Sequence, residues 1–259
     1  MFAAKARAEV RLEIAGSVGT ITEETIEVRV DLTNRGTESA QQVLVAGELL
    51  EHETQNRLPL DIAAGETRGL TLDFPVGGMA AGVHAVALRI DYHTGPEATA
   101  TPFSQPAWVL IAMGEQVGPS VKLRLTDASV DVTGRLDIVL ESADGDAHWV
   151  HLAVKTPRTL RAHPLESVVL VPGSGTLTTW VQLFRVDAPW NTRQGLLVIA
   201  RDDTGPLVRT AVAAGAAQVG GDPARLPRLR RPLIALALLL LALAVGAELW
   251  SRRHTPVAA

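Results

Sequence analysis

Hydrophobic and polar residues alternate one by one along most of this chain, and this two-residue rhythm restricts its fold more than any other feature. Between Thr25 and Leu32, every second residue is Ile, Val or Leu, and the residues between them are Glu, Arg and Asp. Successive side chains of a β-strand point to opposite faces, so the pattern predicts a strand with one buried face. The same pattern predicts strands at 10–14, 43–49, 70–74, 86–92, 108–112, 121–125, 136–140, 148–154, 168–171, 177–184, 196–200 and 207–212.

Turn sequences such as Asn34-Arg-Gly36 and Ala64-Gly-Glu66 separate these strands, and no convincing amphipathic helix interrupts them. Six or seven short strands in about a hundred residues are typical of an antiparallel β-sandwich. The sequence therefore predicts an all-β body of two tandem sandwiches. Their predicted bounds are 10–113 and 121–214, with a linker at 114–120.

The two halves echo each other in one late strand. The segment 82–96 opens with glycine and ends Asp-Tyr-His-Thr-Gly-Pro, and the segment 195–206 opens with glycine and ends Asp-Asp-Thr-Gly-Pro. Each glycine opens a strand, and each Thr-Gly-Pro closes it into the next hairpin. We interpret the echo as a diverged tandem repeat.

Three motifs of the first half occur in a recognisable order: Val28-Arg-Val-Asp-Leu-Thr-Asn-Arg-Gly36, Ala64-Gly-Glu-Thr67 and Gly82-Val-His-Ala-Val86. Together they resemble the CARDB-type immunoglobulin-like modules of bacteria and archaea. The second half resembles them only through Val171-Pro-Gly-Ser174 and Gly195. The chain departs from the family pattern by carrying Ala64 where proline is usual and His84 where tyrosine is usual. The resemblance implies immunoglobulin-like sandwiches outside the cytoplasm, and it implies no catalytic residue.

A run of fifteen apolar or small residues, Leu233 to Ala247, lies near the end of the chain. As a helix, residues 232–250 would span about 30 Å, the thickness of a bilayer's hydrocarbon core. We therefore predict one transmembrane α-helix at 232–250, preceded by a Gly/Pro/Arg-rich juxtamembrane linker at 215–231 and followed by a short basic tail at 251–259. Side chains predicted to lie at the membrane interface, against lipid, are Arg228, Arg230, Arg231, Trp250, Arg252 and Arg253.

Two features disagree about which side of the membrane carries the body. Four arginines precede the helix and two follow it, a balance that places the body in the cytoplasm as a tail-anchored protein. In contrast, Ala4-Lys5-Ala6 and Ala6-Arg7-Ala8 match the small-x-small pattern of a signal-peptidase site, so residues 1–9 are a candidate signal remnant. Because the family resemblance implies export, we favour a body outside the cytoplasm, and the tail-anchored topology stays open.

Composition excludes several kinds of chemistry. The chain has no cysteine, which rules out disulfides, thiol catalysis and thiolate metal sites. Its net charge of −4 gives no general attraction for nucleic acid, so no nucleic-acid partner is expected. No motif of a nucleophile elbow, phosphate loop or paired acid and base is present, and we predict neither an enzyme nor a cofactor.

Metal binding is also not predicted from the histidines and acidic clusters. His148 and His151 are three residues apart, which places them on opposite faces of a strand. Asp91 and His93 share a face but lack a third ligand. The pairs Asp144/Asp146 and Asp202/Asp203 lack the ligand spacing of a calcium loop and are expected in surface hairpin turns, with the histidines at solvated strand ends.

Tryptophan offers the remaining candidates for a binding surface. Trp108, Trp149 and Trp180 fall within predicted strands, where we expect them to pack in the core. Trp190 falls in a predicted loop with Asp187 and Asn191, and these three residues are the candidate partner contact. The sequence thus favours a non-enzymatic, membrane-anchored interaction or assembly module for another envelope protein. The alternative is a carbohydrate-binding accessory subunit of polysaccharide synthesis or export, and an enzyme would require converging carboxylates or histidines in a cleft.

Overall fold

Seventeen strands and no helix make up the described part of the protein, which is residues 9–94 and 101–220 of a computed structural model. Strands β1 to β8 form the first half: β1 (Leu12–Ile21), β2 (Thr25–Asn34), β3 (Ala40–Leu49), β4 (His52–Gln55), β5 (Leu60–Ile62), β6 (Thr67–Pro75), β7 (Gly82–Thr94) and β8 (Thr101–Met113). Strands β9 to β17 form the second half: β9 (Val121–Leu125), β10 (Ala128–Val130), β11 (Thr133–Ser142), β12 (His148–Lys155), β13 (Leu160–His163), β14 (Glu166–Val171), β15 (Thr176–Arg185), β16 (Arg193–Asp202) and β17 (Arg209–Val219).

The first half is a sandwich of two antiparallel sheets. One sheet has the order β1-β2-β6, and the other has the order β4-β3-β7-β8 with β5 also paired to β3. The alternating residues of each strand point into the space between the sheets, where Ile26 and Phe74 of one sheet and Ile90 and Ile111 of the other are fully buried. Connections that cross between the sheets, such as β2 to β3 and β6 to β7, hold the two layers together.

The second half also has two layers, but strand pairing connects them into one nine-stranded sheet. Strands β9, β11, β15 and β13 form one layer, and strands β10, β17, β16, β12 and β14 form the other. Strand β10 pairs with β11 through Val130 and Gly134 and runs parallel to β17, so it joins the layers. A second core, which includes Leu136, Ile138 and Val198, lies between them.

The sandwiches pack against each other through residues that belong to neither core. Ala46 and Ala87 lie on the outward face of the first sandwich, Leu197 lies on the outward face of β16, and all three are buried. Hydrogen bonds join the sandwiches at the β16–β17 hairpin: Val83 N–H donates to Val208 O at 2.7 Å, Val208 N–H to Ala81 O at 2.8 Å, and Thr210 Oγ1–H to Val83 O at 2.6 Å.

The glycines of the internal echo lie in this contact. Gly82 has φ +127 and forms a parallel bridge with Val208, whose backbone would collide with any Cβ at position 82. Gly195 lies under the ring of Pro106, which a Cβ at position 195 would also meet. Each glycine therefore allows the other sandwich to approach, which is a structural reason for their matching places in the sequence.

The structure confirms the all-β prediction for the described residues, with differences at strand ends and edges. The short strands β4, β5, β10 and β13 were not predicted, because runs of three or four residues carry too little alternation. Strand β17 continues to Val219, beyond the predicted end of the second sandwich at 214.

Within the described residues, no helix is long and apolar enough to cross a membrane. The segment 232–250, where the transmembrane helix is predicted, lies outside those residues, as do residues 1–8.

The variant Gly82→Ala tests the joint between the sandwiches. We expect it to lower the free energy of unfolding by about 2–3 kcal/mol, because the new methyl group meets the Val208 backbone and the left-handed φ disfavours alanine. Denaturant unfolding of the full chain would measure this, with Gly118→Ala as the matched control, since nothing lies within 4 Å of a Cβ there. Equal losses in the two variants would contradict this account of the joint.

Candidate functional site

A cleft of about 710 Å³ lies between the two sandwiches. Its floor is the outward face of β12 and β16, which presents His151, Ile199 and Arg201. One wall is the β3–β4 hairpin of the first sandwich, with Glu48 and Glu51. The volume is in the range of small-molecule pockets, and the lining mixes apolar and charged side chains.

The rim of this cleft carries an exposed apolar surface, which we call the Trp149 strip: Trp149, Val168 and Leu170. Their side chains are 52%, 52% and 45% exposed. Trp149 of β12 lies directly opposite Leu170 of β14, and Val168, opposite His151, is the member of the strip that lines the cleft. A contiguous exposed apolar surface beside a cleft is typical of a binding site.

Strand β14 makes the strip unusual because it is the last strand of its layer. Natural edge strands are commonly protected by charges, prolines or bulges that prevent another strand from pairing with them. In β14 the only charged residue is Glu166, at the first position. Its last four residues, Val168 to Val171, are all apolar.

Most charges in the cleft are paired, and the unpaired ones are negative. Lys155 Nζ lies 2.7 Å from Glu48 Oε1, which links the sandwiches, and Arg201 Nη2 lies 2.6 Å from Asp203 Oδ2. Among the described residues, neither Glu51 nor Glu166 takes part in an ion pair. The cleft therefore favours a partner with positive charge near these two carboxylates.

His148, at the start of β12, is mostly enclosed and lies between two carboxylates. His148 Nε2 lies 2.7 Å from Asp144 Oδ1, and His148 Nδ1 lies 2.9 Å from Asp202 Oδ2. Arg209 Nη1 donates to Asp144 Oδ2 at 3.0 Å, and Thr204 donates to Asp202 Oδ1 through N–H at 3.1 Å and Oγ1–H at 2.7 Å. We call His148, Asp144, Asp202 and Arg209 the His148 cluster.

The cluster favours a doubly protonated imidazole between two carboxylates. Burial opposes the charge of His148, but the hydrogen bonds and attraction from Asp144 and Asp202 outweigh it and raise its pKa above 6.5. The hydrogen bond from His148, with one from the Asp146 backbone, holds the pKa of Asp144 well below its usual range. Burial raises the pKa of Asp202, but hydrogen bonds from Thr204 and the attraction of His148 lower it overall.

This cluster corrects two expectations from the sequence. Asp202 was expected in a surface turn and His148 at a solvated strand end, but their side chains are 7% and 12% exposed. His84 is also buried, with Nε2 2.8 Å from the Ala80 carbonyl. The pairing of His148 with Asp202 spans 54 positions, so no local pattern could have revealed it. The predicted placement of His148 and His151 on opposite faces agrees with the structure.

Three tryptophans expected in the core point outward instead. Trp108, Trp149 and Trp180 are 40–52% exposed. The alternation itself carried this information, because each is out of phase with the buried residues of its strand. In β12, for example, Val150 and Leu152 point inward and Trp149 therefore points outward.

The predicted contact residue Trp190 is more enclosed than expected. It packs against the second core, and the Arg185 guanidinium lies 3.7 Å from its ring centroid. Its neighbours Asp187 and Asn191 are exposed. These three residues lie away from the cleft lining, so the structure does not join them to the Trp149 strip.

The predicted membrane-interface residues, Arg228, Arg230, Arg231, Trp250, Arg252 and Arg253, lie outside the described residues. Within the part of the chain that the structure describes, no group of three or more histidine and carboxylate side chains is arranged to hold a metal ion. Asp91, which shares a strand face with His93, is paired with Arg89, whose Nε lies 3.1 Å from Asp91 Oδ2.

Comparisons with known proteins yield only distant similarities. No protein-family model and no curated protein sequence matches the chain. Among solved structures, red sea bream transglutaminase is 12% identical with a TM-score of 0.28, covering 81% of this chain and 31% of that one. Trypsin-activated alpha-2-macroglobulin from Escherichia coli is 11% identical with a TM-score of 0.31, covering 80% and 18%.

A protein of unknown function from Porphyromonas gingivalis is 17% identical with a TM-score of 0.30, covering 80% of this chain and 99% of that one. The present chain spans less than a third of the length of the transglutaminase and the macroglobulin. At these TM-scores, the similarities carry no argument about activity.

The His148 cluster predicts how stability depends on pH. The raised pKa of His148 means that its contribution is complete below 6.5 and is lost as pH rises through the folded-state pKa. The lowered pKa values of Asp144 and Asp202 mean that their contributions are complete above 3.8 and are lost as pH falls. The free energy of unfolding is therefore expected to be largest between these values.

The variant His148→Gln should reduce stability by about 2 kcal/mol near pH 5.5 and by about 1 kcal/mol near pH 8.5. Urea unfolding at both pH values measures the difference, and His52→Gln, at an exposed position, is the control. A loss that does not depend on pH would contradict the charged state assigned to His148.

Proposed function

We propose that the protein is a non-enzymatic, single-pass membrane-anchored interaction module that presents two immunoglobulin-like domains to another cell-envelope protein. The observation that carries the proposal is the Trp149 strip, an apolar surface left uncovered by the described residues. Burying three such half-exposed side chains on a partner would contribute a few kcal/mol, at about 25 cal/mol per Å². The cleft beside the strip supplies polar groups that would orient the partner.

The sheet orders support immunoglobulin-like domains of the CARDB type. In the first sandwich, β1-β2-β6 faces β4-β3-β7-β8, which matches an immunoglobulin-like arrangement of strands A, B and E against C′, C, F and G. In the second, the parallel pairing of β10 with β17 resembles a first strand that switches between layers. The motifs around Asn34 and Gly82 supply the link to the CARDB pattern.

A non-enzymatic role is supported by the way several carboxylates of the second sandwich are engaged. Asp144 and Asp202 are held by His148, and Asp203 is held by Arg201 and His151. Carboxylates engaged in this way stabilise the fold, and the two cleft carboxylates without an ion pair among the described residues, Glu51 and Glu166, are left to contact a partner.

The predicted helix at 232–250 would hold the body next to the bilayer. Arg228, Arg230 and Arg231 before it, and Trp250, Arg252 and Arg253 after it, would contact lipid headgroups. Anchoring raises the effective concentration of the cleft toward any partner in the same membrane. We place the body outside the cytoplasm, and a tail-anchored cytoplasmic body is the alternative.

A second candidate is a carbohydrate-binding accessory subunit of a polysaccharide synthesis or export system. It is favoured by one observation: Trp149 presents an exposed ring beside a cleft lined with charged side chains. Aromatic rings combine a large apolar surface with limited flexibility, which suits the apolar faces of sugars.

In vivo cross-linking tests the proposed surface. A photoreactive amino acid replacing Leu170 in the full chain, in its native membrane, should give a discrete protein adduct, because this position lies at the centre of the strip. The matched control replaces Trp180, which is 50% exposed on the other layer of the same sandwich. Adding Trp149→Ser should reduce the adduct about tenfold.

Equal adduct yields at positions 170 and 180 would contradict the proposal. An adduct at position 170 that glycosidase treatment removes would favour the carbohydrate candidate instead.

Membrane fractionation tests the anchor. The full chain should sediment with membranes and require detergent for release, since an apolar helix of this length inserts stably. Deletion of 232–250 should move the protein to the supernatant, whereas deletion of the tail 251–259 should not. Release of the full chain without detergent would contradict the predicted helix.

A further inference from the structure

We propose that β14 binds its partner as an added antiparallel strand, and that this strand has an apolar-x-apolar-x-basic sequence. The inference rests on the proposed function and specifies the partner's chemistry at the same surface. It follows from three independent properties of β14: free backbone groups, exposed apolar side chains and an uncompensated carboxylate.

Only every second residue of β14 directs its backbone N–H and C=O groups toward β12, and the register of the two strands identifies which residues these are. Val154 N–H donates to Leu165 O at 2.8 Å, and the ladder continues through Leu152 opposite Ser167. Hydrogen-bonded positions of an antiparallel pair recur every second residue, so Ser167 and Val169 face β12. Val168 and Leu170 therefore direct their N–H and C=O groups away from the sheet.

The same two residues carry the exposed side chains. Val168 and Leu170 lie on the outward face beside Trp149, and both are about half exposed. A strand paired to β14 would place every second side chain next to them on this face. An incoming strand thus gains backbone hydrogen bonds and apolar contacts from the same residues, and this combination is how added strands are recognised.

Two carboxylates favour a basic residue at one end of the incoming strand. Glu166 has the same phase as Val168 and Leu170, and it lies in the cleft lining with the exposed Glu51. Neither carboxylate takes part in an ion pair among the described residues. In contrast, Lys155 and Arg201 are already paired with Glu48 and Asp203.

These constraints combine into one register. In an antiparallel strand, the residue opposite Leu170 comes first, the residue opposite Val168 comes two positions later, and the residue opposite Glu166 comes two positions after that. The first two are expected to be apolar and the third to be lysine or arginine. Antiparallel pairing is chosen because β14 already pairs in this way with β12.

A second copy of this chain fits the surface less well. An antiparallel pair of β14 strands could place Val168 opposite Leu170 of the other copy, but Glu166 would then lie opposite Pro172. The two acidic clefts would meet without compensation, and the chain carries a net charge of −4.

Peptide binding to the full chain in detergent micelles tests the inference. The probe is a dye-labelled, capped peptide of sequence TVTVTKT, which places valine, valine and lysine in the proposed register, and fluorescence anisotropy measures its affinity. N-methylation of the second valine, opposite Val168, should weaken binding at least about tenfold by removing a ladder donor. N-methylation of the threonine before it, whose N–H points away from β14, is the matched control.

Charge reversal provides a test that does not depend on the backbone. Glu166→Lys should weaken binding of TVTVTKT about tenfold. The same variant should bind TVTVTET, in which glutamate replaces the peptide lysine, about as tightly as the unmodified chain binds TVTVTKT, since the exposed position 166 tolerates either charge. Leu170→Asp should abolish binding of both peptides, and circular dichroism of each variant confirms that the fold is kept.

Each outcome decides the inference. Equal binding of both N-methylated peptides, or loss of affinity in Glu166→Lys without rescue, would overturn it. Concentration-dependent dimers of the peptide-free chain that Leu170→Asp dissolves would overturn it in favour of self-association. If cross-linking at position 170 still yields a partner while the peptides fail, the surface binds a protein by another mode, and the proposed function stands without the added strand.

Discussion

The two sandwiches are joined through the backbone of one hairpin, and the candidate site exists because of this joint. Val208 exchanges hydrogen bonds with Ala81 and Val83, and Gly82 permits the close approach. Beside this joint, the Lys155–Glu48 ion pair ties the β3–β4 hairpin to β12, so the hairpin lies next to the outward face of β12 and β16. Each sandwich alone would offer a flat sheet to solvent, whereas the pair encloses a cleft next to the Trp149 strip.

The β16–β17 hairpin also takes part in the charged hydrogen bonds of the His148 cluster. Asp202 ends β16 and Arg209 begins β17, and both join the β11–β12 turn through His148 and Asp144. The joint and the His148 cluster therefore involve the same β16–β17 hairpin. Thr210, which donates to Val83, directly follows Arg209 of the cluster in β17.

The sequence was sufficient for the strands and insufficient for the contacts between them. A two-residue period locates β2 or β12 because it depends only on neighbouring residues, and the phase of Val150 already implied that Trp149 points outward. The general tendency of tryptophan to be buried predicts the opposite orientation for Trp149. The pairs His148–Asp202 and Gly82–Val208 join residues that are remote in sequence, and no local pattern encodes them.

The edge strands of the second sandwich differ in a way that stability alone does not explain. Strand β9 carries Lys122 and Arg124, and β13 is only four residues long, so each has a feature that discourages pairing. Strand β14 is longer than β13 and carries one charge, Glu166, at its first position, whereas its apolar side chains and free backbone groups come from the same residues, Val168 and Leu170. Such an edge has the features that the proposed added strand requires, since it offers free backbone groups and apolar side chains together.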